Sequence, residues 1–143
     1  MTPIEVAAIQ RTLAGEHAAV FAYGVVGGGL PVAERGIART GATAHRLARD
    51  RLTRVLQQAG AHPVGAQAAY ASTRVVGNRS AALALAAEVE DALAVTYDAL
   101  VAAVVQRDLR TLALAGLQQA AVQAARLRRL GGSPEPAVAF PGR

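Results

Sequence analysis

The chain has 143 residues, enough for one domain with one sizeable core, and 52% of them are hydrophobic, which excludes an intrinsically disordered chain. It contains no cysteine, so a disulfide framework, a thiolate metal site and a cysteine nucleophile are excluded. The net charge is +5, all 15 basic residues are arginine, and the absence of lysine excludes Walker-type phosphate binding and Schiff-base chemistry.

Helical periodicity predicts four helices, at about residues 3–28, 31–60, 79–106 and 108–131. Thr2 is the expected N-cap of the first helix, with Pro3 at its first position and Glu5 in its first turn. Pro31 is expected to open the second helix, and Asp108 to cap the fourth or lie in its first turn. Gly131 and Gly132 end the fourth helix.

The connection at residues 61–78 is too long for a tight turn. It is long enough to run the length of a bundle whose second and third helices are parallel. The sequence therefore predicts an all-α fold, a ferritin-like four-helix bundle with a long crossover between helices 2 and 3. The bundle is expected over residues 1–131, and residues 132–143 form an extended tail.

Each helix has a polar residue on its otherwise apolar inward stripe, and the four lie at one level. They are Glu16, His45, Glu90 and Gln119. The stripe of the fourth helix is predicted as Leu112, Gly116, Gln119, Gln123 and Leu130. Because a buried carboxylate is costly unless it is paired, protonated or bound to a metal, we expect these residues to converge at mid-bundle.

A faint internal repeat relates the two halves of the chain. An offset of about 74 residues takes Glu16 to Glu90, Tyr23 to Tyr97 and His45 to Gln119. Two matched helical hairpins are typical of a pseudo-twofold bundle, and the two tyrosines are candidates for hydrogen bonds across the core.

Five segments carry a resemblance to a known family. They are LAGEHAAVFAYGVVG (13–27), AHRLARDRL (44–52), PVGAQAAYA (63–71), LAAEVEDALAVTYDALVAA (85–103) and VAFPG (138–142). With these the chain resembles an actinobacterial ferritin-like family of unknown function, over nearly its whole length. The resemblance implies the fold and no assigned activity.

The wider ferritin-like superfamily has a di-iron site with one Glu on helices 1 and 3 and Glu-x-x-His on helices 2 and 4. Glu16, Glu90 and His45 match this pattern. Ala42, Gly116 and Gln119 occupy the other three positions, so a standard di-iron centre is not expected. Glu16, His45 and Glu90, with Gln119 as a weak fourth donor, could instead hold a single Fe, Mn or Zn ion.

The alternative for Glu16 and Glu90 is structural. The two carboxylates could share a proton or be neutralised by an inward-reaching arginine, and Arg49 is the best placed for that role. Of the other histidines, His17 is expected at the surface or between subunits, and His62 in a solvated loop.

Three functional hypotheses follow. The preferred one is a non-enzymatic binding or structural protein, a homodimer in the cytoplasm, with no cofactor. The first alternative is a metal-binding or redox protein that uses the reduced site, and the second is nucleic-acid or anion binding through Arg126, Arg128 and Arg129. Nucleic acid is not favoured, because no aromatic residues alternate with the arginines. No signal peptide is expected, and the longest uncharged run, 18–33, is too short to span a membrane.

Overall fold

A computed structural model of the protein describes residues 1–68, 70, 76–139 and 141. Its helices are α1 (Pro3–Gly29), α2 (Arg35–Gln58), α3 (Arg79–Ala103) and α4 (Arg107–Leu130), with a 3₁₀ turn at Val32–Glu34 before α2. The described residues contain no β-strand. The predicted four helices are confirmed, and no helix among the described residues is long and apolar enough to cross a membrane.

The helix ends follow from local side chains. Thr2 and Glu5 form a reciprocal capping box at the start of α1, as the sequence predicts. Pro31 does not open α2 directly, because its extended backbone is followed by the 3₁₀ turn. At the end of α3, Val104 leaves the helix in an extended conformation, and Asp108 lies in the first turn of α4.

Helix α1 runs antiparallel to both α2 and α3. Near its start, the Glu5 carboxylate accepts a hydrogen bond from the Val105 amide, and near its end Gly29 lies beside Ala82. Gly27, also near that end, packs against Ala38 at the start of α2. Helices α2 and α3 are therefore parallel, and the predicted topology is confirmed.

The α2–α3 crossover lies along α1. The Gln10 side chain donates to the His62 carbonyl at 2.6 Å and accepts from the Val64 amide at 2.8 Å. The Nε2 atom of His17, a residue expected at the surface or between subunits, lies 3.1 Å from the Val64 carbonyl oxygen of the same crossover segment. Farther along, the Tyr70 ring lies 5.5 Å from that of Phe21, between ring centroids. Residues 69 and 71–75 of the crossover and residues 140, 142 and 143 of the tail lie outside the described residues. Two of them, residues 69 and 71, belong to the 63–71 segment that carries part of the family resemblance.

The helices pack in the spatial order α2–α1–α3–α4. Helices α2 and α4, both described in full, do not pack closely on each other, so the bundle is open along one side. The core consists of two hydrophobic clusters, one around Leu13, Leu52 and Leu100 and the other around Val26 and Leu83.

The predicted inward stripe of α4 is wrong by one residue, or about 100° around the helix. The buried residues of α4 are Ala113, Ala120, Ala124 and Leu127. Gln119 and Leu130 are exposed, and Leu112, Gly116 and Gln123 are half-buried. The physical reason is that α4 packs on α3 and not on α2, so its buried face turns toward α3 and away from the bundle axis.

Candidate functional site: a buried acid–imidazole cluster beneath an open groove

Glu16, His45 and Glu90 meet in the middle of the bundle. The Nδ1 atom of His45 lies 2.9 Å from Glu16 Oε2, and its Nε2 atom lies 3.3 Å from Glu90 Oε1. The two carboxylates are 2% and 3% exposed and the histidine 7%. Because each ring nitrogen faces a carboxylate oxygen, both act as donors and His45 is an imidazolium.

Two tyrosines complete the cluster, and each donates a hydrogen bond to the carboxylate from the other half of the chain. The Tyr97 hydroxyl donates to Glu16 Oε1 at 2.6 Å, and the Tyr23 hydroxyl donates to Glu90 Oε1 at 2.5 Å. The Tyr23 ring also lies 4.9 Å from the His45 ring, between centroids, where it can interact with the imidazolium charge. The predicted cross-core hydrogen bonds of the tyrosines are confirmed. We call these five residues the acid–imidazole cluster.

Each tyrosine ring is seated against a glycine of the neighbouring helix. A Cβ atom at Gly41 would lie 2.1 Å from the Tyr23 ring, and one at Gly116 would lie 2.3 Å from the Tyr97 ring. The glycines therefore admit the rings at this depth. Their function can be seen only when the facing tyrosine is known, which is why the sequence alone does not reveal it.

Burial and the carboxylates oppose each other in their effect on the pKa of His45 and act together on the pKa values of the two tyrosines. Burial lowers the pKa of His45, but the hydrogen bonds and negative charges of Glu16 and Glu90 outweigh it and raise the pKa to about 9. Burial, then the charge of Glu90, raises the pKa of Tyr23 far above its usual range, and burial with the charge of Glu16 does the same for Tyr97. At neutral pH the cluster thus holds one imidazolium and two neutral phenols.

One carboxylate oxygen of the cluster, Glu90 Oε2, has no donor among the residues that the structure describes. Both hydrogen bonds to Glu90 end on Oε1, and no described residue donates to Oε2. Among the described residues, no buried side-chain nitrogen or oxygen lacks a hydrogen-bond partner. Glu90 thus has Oε2 open among the described residues, and it lines the opening of the cluster, although the residue as a whole is only 3% exposed.

The opening lies between α2 and α4. A groove of about 760 Å³ separates these helices, and four residues of the acid–imidazole cluster, Glu16, His45, Glu90 and Tyr97, form its floor. The groove residues are Glu16, Gly41, Ala44, His45, Leu47, Ala48, Arg51, Glu90, Leu93, Tyr97, Asp108, Thr111, Leu112, Ala115, Gly116, Gln119, Ala120 and Gln123. We call this the central groove; its walls are mainly aliphatic.

Two expectations about neighbouring residues are wrong. Arg49 does not neutralise the carboxylates, because it points outward and pairs with Asp50 at 2.8 Å. His45 supplies the positive charge instead. Gln119 is an exposed residue of the groove wall and not a member of the buried cluster, because α4 is rotated toward α3.

The cluster does not fit a metal centre in this arrangement. Both ring nitrogens of His45 are committed to carboxylates, and an imidazolium has no lone pair for a metal. Ala42 and Gly116 supply no carboxylate, and no group of three or more His, Cys, Asp or Glu side chains in the described ranges has metal-binding geometry. The single-ion site remains a prediction from the sequence.

A second depression lies on the other side of α2. Its residues include Arg35, Arg39 and Arg46, beside Gly24 and Gly28 of α1. The helical spacing of these three arginines brings them to one edge of the depression. Of the three arginines considered for nucleic-acid or anion binding, Arg128 is paired with Asp91 and also donates to the Pro136 carbonyl.

The fold and the site together define a class of four-helix bundle with a buried acid–imidazole cluster beneath an open groove. The chain belongs to a family described as a domain of unknown function, DUF4439, whose model matches residues 8–143. Its structure is similar to the crystal structure of a conserved hypothetical protein, rv2844, from Mycobacterium tuberculosis, with 28% sequence identity and a TM-score of 0.87 over 91% of this chain and 98% of that chain. No curated protein matches the chain. The predicted membership of a family of unknown function is confirmed.

Proposed function

We propose that this protein is a ferritin-like bundle that works as a non-enzymatic binding protein and takes up a small organic molecule in the central groove. The observation that carries the proposal is an aliphatic groove of about 760 Å³ with a few buried polar groups on its floor. Ligand sites in proteins are typically clefts of roughly 300–1,000 Å³ with this division between apolar walls and a few orienting polar groups.

The hydrogen bonding of the floor favours binding over catalysis. His45 holds Glu16 and Glu90 in place, and each tyrosine hydroxyl is directed at a carboxylate. An imidazolium between two carboxylates is not a free base, and a phenol with a raised pKa is a poor acid. The floor is therefore suited to fixing the orientation of a ligand.

Filling the groove tests the proposal. The probe is Nile red, a neutral dye whose emission rises in apolar surroundings. We expect the unaltered protein to bind it and Ala115→Trp, which places an indole in the groove, to weaken binding at least about fivefold, since the dye and the indole need the same volume. Ala102→Trp is the matched control, because Ala102 is exposed on α3 and outside the groove. Absence of binding, or equal binding by both variants, would contradict the proposal.

A second copy of the chain is the other candidate occupant of the groove, as part of a homodimer. The observation in its favour is Leu47, a groove residue that is 57% exposed. A homodimer of this kind would lose its association on Leu47→Glu, as measured by sedimentation equilibrium, and its dye binding would fall as the protein concentration rises. A monomer at all concentrations would exclude it.

A further inference from the structure

We infer that the molecule bound in the central groove is an organic ammonium ion, a protonated amine on an apolar body, whose N–H groups donate to Glu90 Oε2. This inference rests on the proposed function and specifies the chemical class of its ligand. The observation behind it is a carboxylate that is 3% exposed and has one oxygen without a donor among the described residues.

The charges of the groove favour a single positive charge on the ligand. On the floor, Glu16 and Glu90 contribute two negative charges and His45 one positive charge, which leaves one negative charge. On the rim, Arg51 from α2 and Asp108 from α4 have opposite charges and offset each other. An ammonium ion would complete the neutralisation of a cluster with little access to water, where a charge-assisted hydrogen bond is strong.

The walls of the groove define the rest of the ligand. Leu47 on α2, Leu93 on α3 and Leu112 on α4 provide aliphatic surface around the floor. An aryl or alkyl group on the amine would cover this surface while its charged end reaches Glu90. A carboxylate or phosphate would instead meet the uncompensated negative charge.

The experiment compares two molecules of the same shape. The probes are 2-phenylethylamine, which is a cation at neutral pH, and 2-phenylethanol, which is neutral. Binding is followed by the shifts of backbone amide signals of α2 and α4. We expect the amine to bind roughly tenfold or more tightly than the alcohol, because only the amine adds a charge-assisted hydrogen bond.

Glu90→Gln is the decisive variant. Its Oε1 atom can still accept from Tyr23 and His45, but an amide NH₂ group replaces the free oxygen, so the preference for the amine should disappear. Glu88→Gln, two residues earlier and exposed on the same helix, should keep the preference. If Glu90→Gln does not fold, the unaltered protein still provides a test: contacts in a nuclear Overhauser spectrum between the amine-bearing methylene and the Tyr97 ring support the inference, and contacts confined to Thr111 on the rim contradict it.

The outcomes separate this inference from the proposed function. If the amine and the alcohol bind equally while Ala115→Trp still blocks Nile red, the ammonium inference is wrong and the binding groove stands. If neither compound binds and Ala115→Trp has no effect on the dye, both proposals fail. If Glu88→Gln removes the preference as completely as Glu90→Gln does, a general charge effect explains it and the inference is wrong.

Discussion

Among the described residues, His45 alone hydrogen-bonds to both Glu16 and Glu90, and it stabilises the fold only while it carries a proton. It links α2 to Glu16 on α1 and to Glu90 on α3. Removing its charge would leave two carboxylates close together in the core with no cation between them, which is costly. The protonation of one side chain is thereby coupled to the packing of three helices.

This coupling predicts a loss of stability at alkaline pH. The pKa of His45 is raised from 6.5 to about 9 in the folded chain. The stabilisation is therefore fully present below pH 6.5, declines as the pH rises from 6.5 to 9, and is absent above that range. The difference between the two pKa values corresponds to about 3 kcal/mol. Urea unfolding at pH 6 and pH 10 measures it.

A direct titration provides the control for that prediction. In NMR spectra, the imidazole signals of His45 should titrate near pH 9, while those of the exposed His62 serve as the internal comparison. Stability in His45→Gln should no longer show the decline, whereas His62→Gln should retain it. A His45 that titrates at or below pH 6.5 would overturn the prediction.

The two tyrosine hydroxyls are predicted to differ in importance. Tyr97→Phe removes the hydrogen bond to Glu16 Oε1, an atom that accepts from no other described residue. Tyr23→Phe leaves Glu90 Oε1 with a second donor, His45. An unsatisfied buried acceptor costs roughly 1–3 kcal/mol, so Tyr97→Phe should lower the unfolding free energy more than Tyr23→Phe. Denaturant unfolding of both variants, with Tyr70→Phe on the crossover as control, checks the order. Equal losses at positions 23 and 97 would contradict it.

At this scale, part of the site follows from the sequence. Glu16, His45 and Glu90 can be predicted because helical spacing places each on an apolar stripe, and equal distances from the turns place them at one level. That His45, and not Arg49, supplies the positive charge could not be predicted. Arg49 lies one turn beyond His45 on the same side of α2, so helical spacing alone does not show that its side chain turns outward to Asp50.

Among the helices, the contacts of α1 with α2 and of α3 with α4 depend on glycine at two positions. Gly41 and Gly116 each face a tyrosine ring of the adjacent helix with no room for a methyl group. Helix propensity opposes glycine at both positions, since alanine is more favourable in a helix by about 1 kcal/mol. The close approach of the rings outweighs that preference.

Alanine substitution should therefore have opposite effects at different glycines. Gly41→Ala and Gly116→Ala should destabilise the protein by about 1–3 kcal/mol, because overpacking must displace a buried ring. Gly24→Ala and Gly28→Ala, on α1 where a Cβ meets nothing within 4 Å, should be neutral or stabilising by up to about 1 kcal/mol. Thermal unfolding of the four variants measures this. A gain at position 41 or 116 would show that the ring has another position available.

The prediction of the helices from the sequence succeeded in order and type and failed in the rotation of α4. The periodicity of α4 is compatible with two neighbouring stripes, because small alanines lie on the one and larger or polar side chains on the other. The buried stripe is the alanine one, as α3 approaches it closely. A stripe chosen by hydrophobicity alone selects Leu112 and Leu130 and misses this contact.

Across the whole molecule, the packing order α2–α1–α3–α4 predicts a gradient of local stability. Helices α1 and α3 have neighbours on two sides, and the crossover also covers α1, whereas α2 and α4 border the open groove. Backbone amides in the middle of α1 and α3 should exchange with solvent at least about tenfold more slowly than those of α2 and α4, since local opening exposes fewer contacts in the outer helices. Native-state hydrogen exchange measures this. Protection of α4 equal to that of α1 in a monomeric sample would contradict it.

The exchange of hydroxyl groups between the two hairpins has a consequence for the integrity of the chain. Tyr23 and His45 of the first hairpin (α1 and α2) donate hydrogen bonds to Glu90 of the second hairpin (α3 and α4). Tyr97 of the second hairpin donates to Glu16 of the first. A chain cut within the crossover would give two fragments, each with an acid whose tyrosine partner is on the other. The second fragment would bury Glu90 without either of its donors, and the first would keep only the His45 donor to Glu16, so burial of both acids would require the two fragments to recombine.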